Sequence, residues 1–168
     1  GLFVVMSVNK VSKLFVFEDS SYSSYGGGQV VTDISIRCFL KEKHLVQLFD
    51  YSVESVFFKR MENLSIQHTL LRHGLKRSNV ANSSGSFPPI LKNIFLPILI
   101  IFDLLKVYRS IKSCKNGIII STTRFNHFFV FIFTRFIKRR WVAHVHSNEP
   151  SVFIRKIVKY VLSKADRV

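Results

Sequence analysis

The sequence predicts an α/β domain built on a mainly parallel sheet. Short apolar runs alternate with longer stretches of helical periodicity from residue 13 onward. The runs are near-continuous, as strands covered on both faces require. Polar or glycine-rich turns follow them, and in such sheets ligands collect at the carboxyl ends of the strands.

Residues 13–18 read as a buried strand and residues 19–28, rich in Ser, Tyr and Gly, as a loop. A helix is predicted over 29–43. Val30, Val31, Ile34 and Cys38 share one face, which Ile36, Phe39 and Leu40 widen, so this helix is expected to be largely buried. Residues 44–51 give a second strand. Residues 54–60 read as a short strand or turn, 63–73 as strand or helix, and 76–89 as a Ser/Asn/Gly/Pro-rich loop.

A second long helix is expected over 97–113, with Pro97 in its first turn and Ile98, Ile101, Leu104, Leu105 and Tyr108 at helical spacing. Asn116-Gly117 marks a stop. Residues 118–121 then form a strand, 124–138 an apolar helix, and 141–145 another strand. Residues 151–163 form an amphipathic helix, with Ile154, Ile157, Val158, Val161 and Leu162 opposite Arg155, Lys156 and Lys159. Residues 165–168 read as the opening of a further strand.

The 168 residues amount to one domain, and 48% hydrophobic content excludes a disordered tail. Twenty-five Lys and Arg against 10 Asp and Glu give a net charge of +15, which calls for an anionic partner: nucleic acid, lipid head groups or a phosphorylated substrate. Cys38 and Cys114 lie in no CxxC or Cys/His cluster. That argues against zinc and fits two thiols in a reducing cytoplasm, with a single disulfide as the alternative. Residues 1–12 read as a leader outside the domain, since five residues precede Met6. The leader has no signal-peptide pattern. The longest apolar run, 94–102, is closed by Asp103 and is shorter than the roughly 20 residues of a membrane span.

Three groups of residues could carry chemistry. Tyr25-Gly26-Gly27-Gly28-Gln29 sits between strand and helix, where glycines admit close backbone approach and a helix N-terminus favours a phosphate or oxyanion. A flexible turn with no ligand explains the same residues. The segment is neither a Walker A loop nor a G-x-G-x-x-G fingerprint. Next, strand alternation puts His144 and His146 on one face, His146 at the accessible end and His144 deeper. No carboxylate or cysteine joins them, so no metal is expected. The last group is basic: Arg135, Lys138, Arg139, Arg140, Arg155, Lys156, Lys159, Lys164 and Arg167, with aromatics between. An anionic lipid surface suits that pattern at least as well as nucleic acid, and a solvated face is the bland alternative.

Taken in order, these pieces resemble the N-terminal domain of family-4 glycosyltransferases of the GT-B fold. The resemblance rests on the Gly-rich loop at Tyr25–Gln29, on Ile118-Ile-Ile-Ser-Thr-Thr123, and on Trp141-Val-Ala-His-Val-His146 followed by Lys164-Ala165-Asp166. It implies a Rossmann-like three-layer domain over 13–168, the acceptor-side half of the enzyme, with the donor-binding half beyond this chain and no turnover by this half alone. It implies transfer of a hexose-type sugar from a nucleotide-sugar donor to a glycan or lipid-linked acceptor, with retention, without a metal or other cofactor, and without nucleic acid. His146 is implied as the catalytic residue, with Gly26, Gly27, Gly28, Gln29, Arg124, Ser147 and Glu149 binding substrate. The high positive charge and amphipathicity add an expected setting at an anionic membrane surface, and the two thiols a cytoplasmic one. The rival readings are a non-catalytic basic module binding membrane or nucleic acid, and another nucleotide-binding enzyme such as a dehydrogenase or small kinase. The absent fingerprints count against the latter two.

Overall fold

The computed structural model describes residues 13–20, 25–52, 54–71, 89–145 and 159–166. Five parallel strands form one sheet in the order β3-β2-β1-β4-β5. The strands are β1 (Lys13–Phe17), β2 (Leu45–Asp50), β3 (Gln67–Leu70), β4 (Gly117–Ser121) and β5 (Arg140–Ala143). The helices are α1 (Gly27–Lys41), α2 (Val56–Glu62), α3 (Pro89–Lys112) and α4 (Arg124–Thr134). The result is the predicted Rossmann-like three-layer fold.

The central strands β1, β2 and β4 supply both layers of core through their alternation. On one face Leu14, Val16, Val46 and Leu48 pack with Ile36 of α1 and with Phe57 and Met61 of α2. On the other, Phe15, Phe17, Phe49, Ile119 and Trp141 pack with Val107 and Ile111 of α3 and with Phe129, Val130 and Phe133 of α4. Phe17 stacks on Phe49 at 4.6 Å between ring centroids. Each such ring contributes roughly 2–3 kcal/mol by leaving water. Gly117 opens β4 because a Cβ there would run into the Phe15 ring. Cys38 and Cys114 are both free; Cys38 lies on α1, while Cys114 packs against the core on the other side of the sheet.

Several expectations are corrected. Residues 56–62 are helical, because Ser55 accepts from the Phe58 N–H as an N-cap and Phe57 and Met61, one turn apart, share the core. Residues 67–70 resolve as strand. The long helix begins at Pro89, not Pro97, so Pro97 sits inside it and leaves out the hydrogen bond its N–H would have made. Only part of the expected buried face of α1 points inward: Ile36, Phe39 and Leu40 pack on the core. Val30, Val31 and Ile34 are exposed, while Gln29, Thr32, Asp33 and Ile36 are buried. The polar residues turn inward because their partners lie there. Residues 165–166 bend rather than continue as strand, and Asp166 exchanges hydrogen bonds with the Trp141 backbone at 2.6 and 2.8 Å. The leader over 1–12, the loop over 76–88 and the helix over 151–158 lie outside the described residues.

Candidate functional site at the carboxyl edge of the sheet

The strand order turns around between β1 and β4. α1 follows β1 on one face and α4 follows β4 on the other, which makes the crevice between their N-termini the topological switch point. β1 and β4 exit side by side, with Phe17 opposite Ser121. Thr122 locks the two exits together, its N–H and hydroxyl both donating to the Phe17 carbonyl at 3.2 and 3.0 Å.

The predicted glycine loop borders this crevice. Gly26 is the N-cap of α1, with no side-chain cap, and the first helical bond runs from Val30 N–H to the Gly26 carbonyl at 3.1 Å. The amides of Gly27, Gly28 and Gln29 therefore have no carbonyl partner within the helix. Neither Gly26 nor Gly27 has positive φ, and a Cβ on either would meet nothing within 4 Å. Among the described residues, the packing leaves room for side chains here. Gln29 is buried beneath the loop.

Tyr25, next to the glycines, is held by its neighbours. Its hydroxyl donates to Asp33 at 2.7 Å, and Asp33 also accepts from Arg37 at 2.6 Å and Arg60 at 2.9 Å. The Arg60 guanidinium lies 4.9 Å from the Tyr25 ring centroid. Burial alone would raise the Asp33 carboxyl, but the Tyr25 hydroxyl and the two guanidiniums outweigh it and hold the group below its ordinary value. The cluster ties the loop to α1 and α2.

Beneath the crevice lies a buried polar layer that sequence reading did not anticipate. Glu18 and Asp50, at the exits of β1 and β2, are each 2% exposed. Thr32 donates to Glu18 at 2.8 Å. Asp50 accepts from the Ser20 N–H at 2.9 Å, the Ser20 hydroxyl at 2.5 Å and the Tyr51 N–H at 2.7 Å. The Ser55 hydroxyl donates to that of Ser20 at 2.7 Å, which links the α2 cap to the carboxylate. Burial raises both acids; Asp50 reaches about 7 despite its three donors. The signal available in the sequence was a carboxylate placed at each strand exit.

On the β4 side, the buried Ser121 hydroxyl accepts from the Trp141 indole N–H at 2.8 Å and lies 2.7 Å from His127 Nδ1. Tyr51 donates to Asn126 Oδ1 at 2.7 Å, while Asn126 Nδ2 is buried with no partner among the described residues. Asn126 belongs to the first turn of α4, capped by Thr123. Arg124 opens that helix, across the switch point from the glycines. His144 is half-buried, which lowers its pKa, and its backbone N–H donates to the Ser121 carbonyl at 2.8 Å. The fold thus brings Gly26–Gln29 and Arg124 to one edge. His146, Ser147 and Glu149 lie outside the described residues.

No protein-family model matches the sequence, and no curated protein matches it. Solved structures do share its fold. MurG of Acinetobacter baumannii superposes with a TM-score of 0.58 at 10% identity, over 92% of this chain and 40% of that one. A glycosyltransferase from Rickettsia africae superposes with a TM-score of 0.58 at 13% identity, over 94% of this chain and 36% of that one. The chain thus spans well under half the length of either, and it has the fold of part of these glycosyltransferases.

Proposed function

We propose that this chain is the acceptor-side half of a GT-B glycosyltransferase of the family-4 type, moving a hexose-type sugar from a nucleotide-sugar donor to a glycan or lipid-linked acceptor. The observation that carries this reading is the uncapped N-terminus of α1 at Gly26–Gly28, facing the switch point of a sheet shared with two glycosyltransferases. In the proposed reaction the bond from the sugar's anomeric carbon to the diphosphate oxygen breaks. The acceptor hydroxyl oxygen bonds to the same face of the sugar, and its proton passes to the departing phosphate oxygen. The Gly27 and Gly28 amides stabilise the charge that builds on the diphosphate. His146 positions the sugar and the acceptor hydroxyl, and Arg124, Ser147 and Glu149 contact substrate. No metal or other cofactor takes part, and the donor-binding half belongs to the remainder of the protein. Transfer takes place in the cytoplasm at the inner face of the membrane.

Gly27→Ala in the full-length protein tests the reading. A Cβ there meets open space, so the melting temperature should not fall, whereas transfer should drop about tenfold or more as the methyl group holds the diphosphate off the amides. Undiminished transfer at unchanged stability would remove the loop from the mechanism.

A further inference from the structure

The outward face of α3 does not look like a solvated helix. Ile98, Ile101, Phe102 and Leu105 are exposed by 45, 56, 63 and 47%. They recur at intervals of three and four residues and form one stripe. Arg109 and Lys112, at the same spacing, carry the stripe on toward the C-terminal end, and both are exposed. Lys106 lies at its edge, donating to the Leu70 carbonyl at 3.0 Å. The one acid of α3, Asp103, is 2% exposed and on the opposite side, with Val107 and Ile111. The face is thus apolar in one half, cationic in the other, and free of negative charge. In the same layer, α4 leads into Phe136, exposed by 75%, between exposed Arg135 and Lys138.

We propose that this face of α3 docks on an anionic lipid surface, with the apolar stripe entering the boundary between head groups and acyl chains and the basic end pairing with lipid phosphates. No described helix is long and apolar enough to cross a membrane, so the helix lies along the surface. A second copy fits the face poorly, because at net +15 it would set like charges against each other. Docking does not depend on sugar transfer: a chain without transferase activity could bind lipid in the same way.

Vesicle sedimentation tests it, comparing phosphatidylcholine alone with phosphatidylcholine carrying about one-third phosphatidylglycerol. Binding should require the anionic lipid and weaken with added salt. The pair Ile101→Ser and Phe102→Ser should lower partitioning about tenfold or more, as should the pair Arg109→Glu and Lys112→Glu. The pair Lys41→Glu and Lys59→Glu makes the same charge change on the α1–α2 layer and should leave most binding intact. Should that control pair lose as much as the α3 pair, the attraction is diffuse charge and the docking face is wrong. Phe102→Trp is a further check that disturbs little at so exposed a position. The fluorescence of the introduced indole should shift to the blue on anionic vesicles, while Trp141, already buried, contributes a constant background. Bound protein with no blue shift in this variant would overturn the proposal. So would lipid-free self-association that the serine pair abolishes.

Discussion

Replacing Asp50 with an asparagine tests whether burial or hydrogen bonding governs the polar layer under the crevice. Asp50 accepts three hydrogen bonds, which favour its charged form, yet it is 2% exposed beside the equally buried Glu18. Burial prevails, and the carboxyl titrates at about 7 against an ordinary 3.8. The folded state then keeps a proton that the unfolded chain has lost. Between about pH 4 and pH 7 the unfolded state binds fewer protons, so wild-type stability must fall as pH rises and level off above 7. The gap between the two values corresponds to at most about 4 kcal/mol, the ceiling reached if no water enters. A carboxamide at this position cannot titrate, so urea unfolding of both proteins across this range should show the wild type losing stability relative to Asp50→Asn by up to that amount. Glu18, also raised by burial, adds a slope of the same sign in both proteins. A constant stability difference across the range would show that burial does not dominate. A difference that grows in the wild type's favour would mean that the three donors win.

Two further changes probe the frame that holds the site. Gly117→Ala drives a methyl group into the Phe15 ring at the β1–β4 pairing and should cost about 2 kcal/mol of unfolding free energy, read by urea titration; a loss under about 0.5 kcal/mol would mean the ring moves aside freely. Lys43 has φ of 63° where α1 ends, with its N–H bonded to the Leu40 carbonyl and that of His44 to the Phe39 carbonyl, so Lys43→Gly should stabilise the chain by about 1 kcal/mol, visible as a raised melting temperature.

The strands were legible because their signal is local. Near-continuous apolar runs at 13–17, 45–50 and 117–121 need no distant partner to be read, and their parallel arrangement follows from the helices between them. The faces of α1 were legible only in part: Ile36, Phe39 and Leu40 pack inward as their spacing predicts. Val30, Val31 and Ile34 look like a core stripe, yet they lost the inward positions to Thr32 and Asp33. What decides that is Glu18, Tyr25 and Arg60, which approach only once the chain has folded. The second helix shows the same limit: residues 54–60 carry no strong periodicity, and the helix depends on the Ser55 cap and on Phe57 and Met61 reaching the core. In the site, the glycine loop stood out by composition. The Asp50–Ser20–Ser55 chain joins three segments up to 35 residues apart, and no local pattern announces it.

Sugar transfer itself is the decisive measurement. The full-length protein would be incubated with a panel of labelled nucleotide sugars and a lipid extract as acceptor, beside its His146→Ala variant. Label should pass from at least one donor into the acceptor fraction, with His146→Ala cutting that rate more than about tenfold while the fold persists. Transfer at an undiminished rate in the variant, or no transfer from any donor by a folded wild-type protein, would contradict the proposed function.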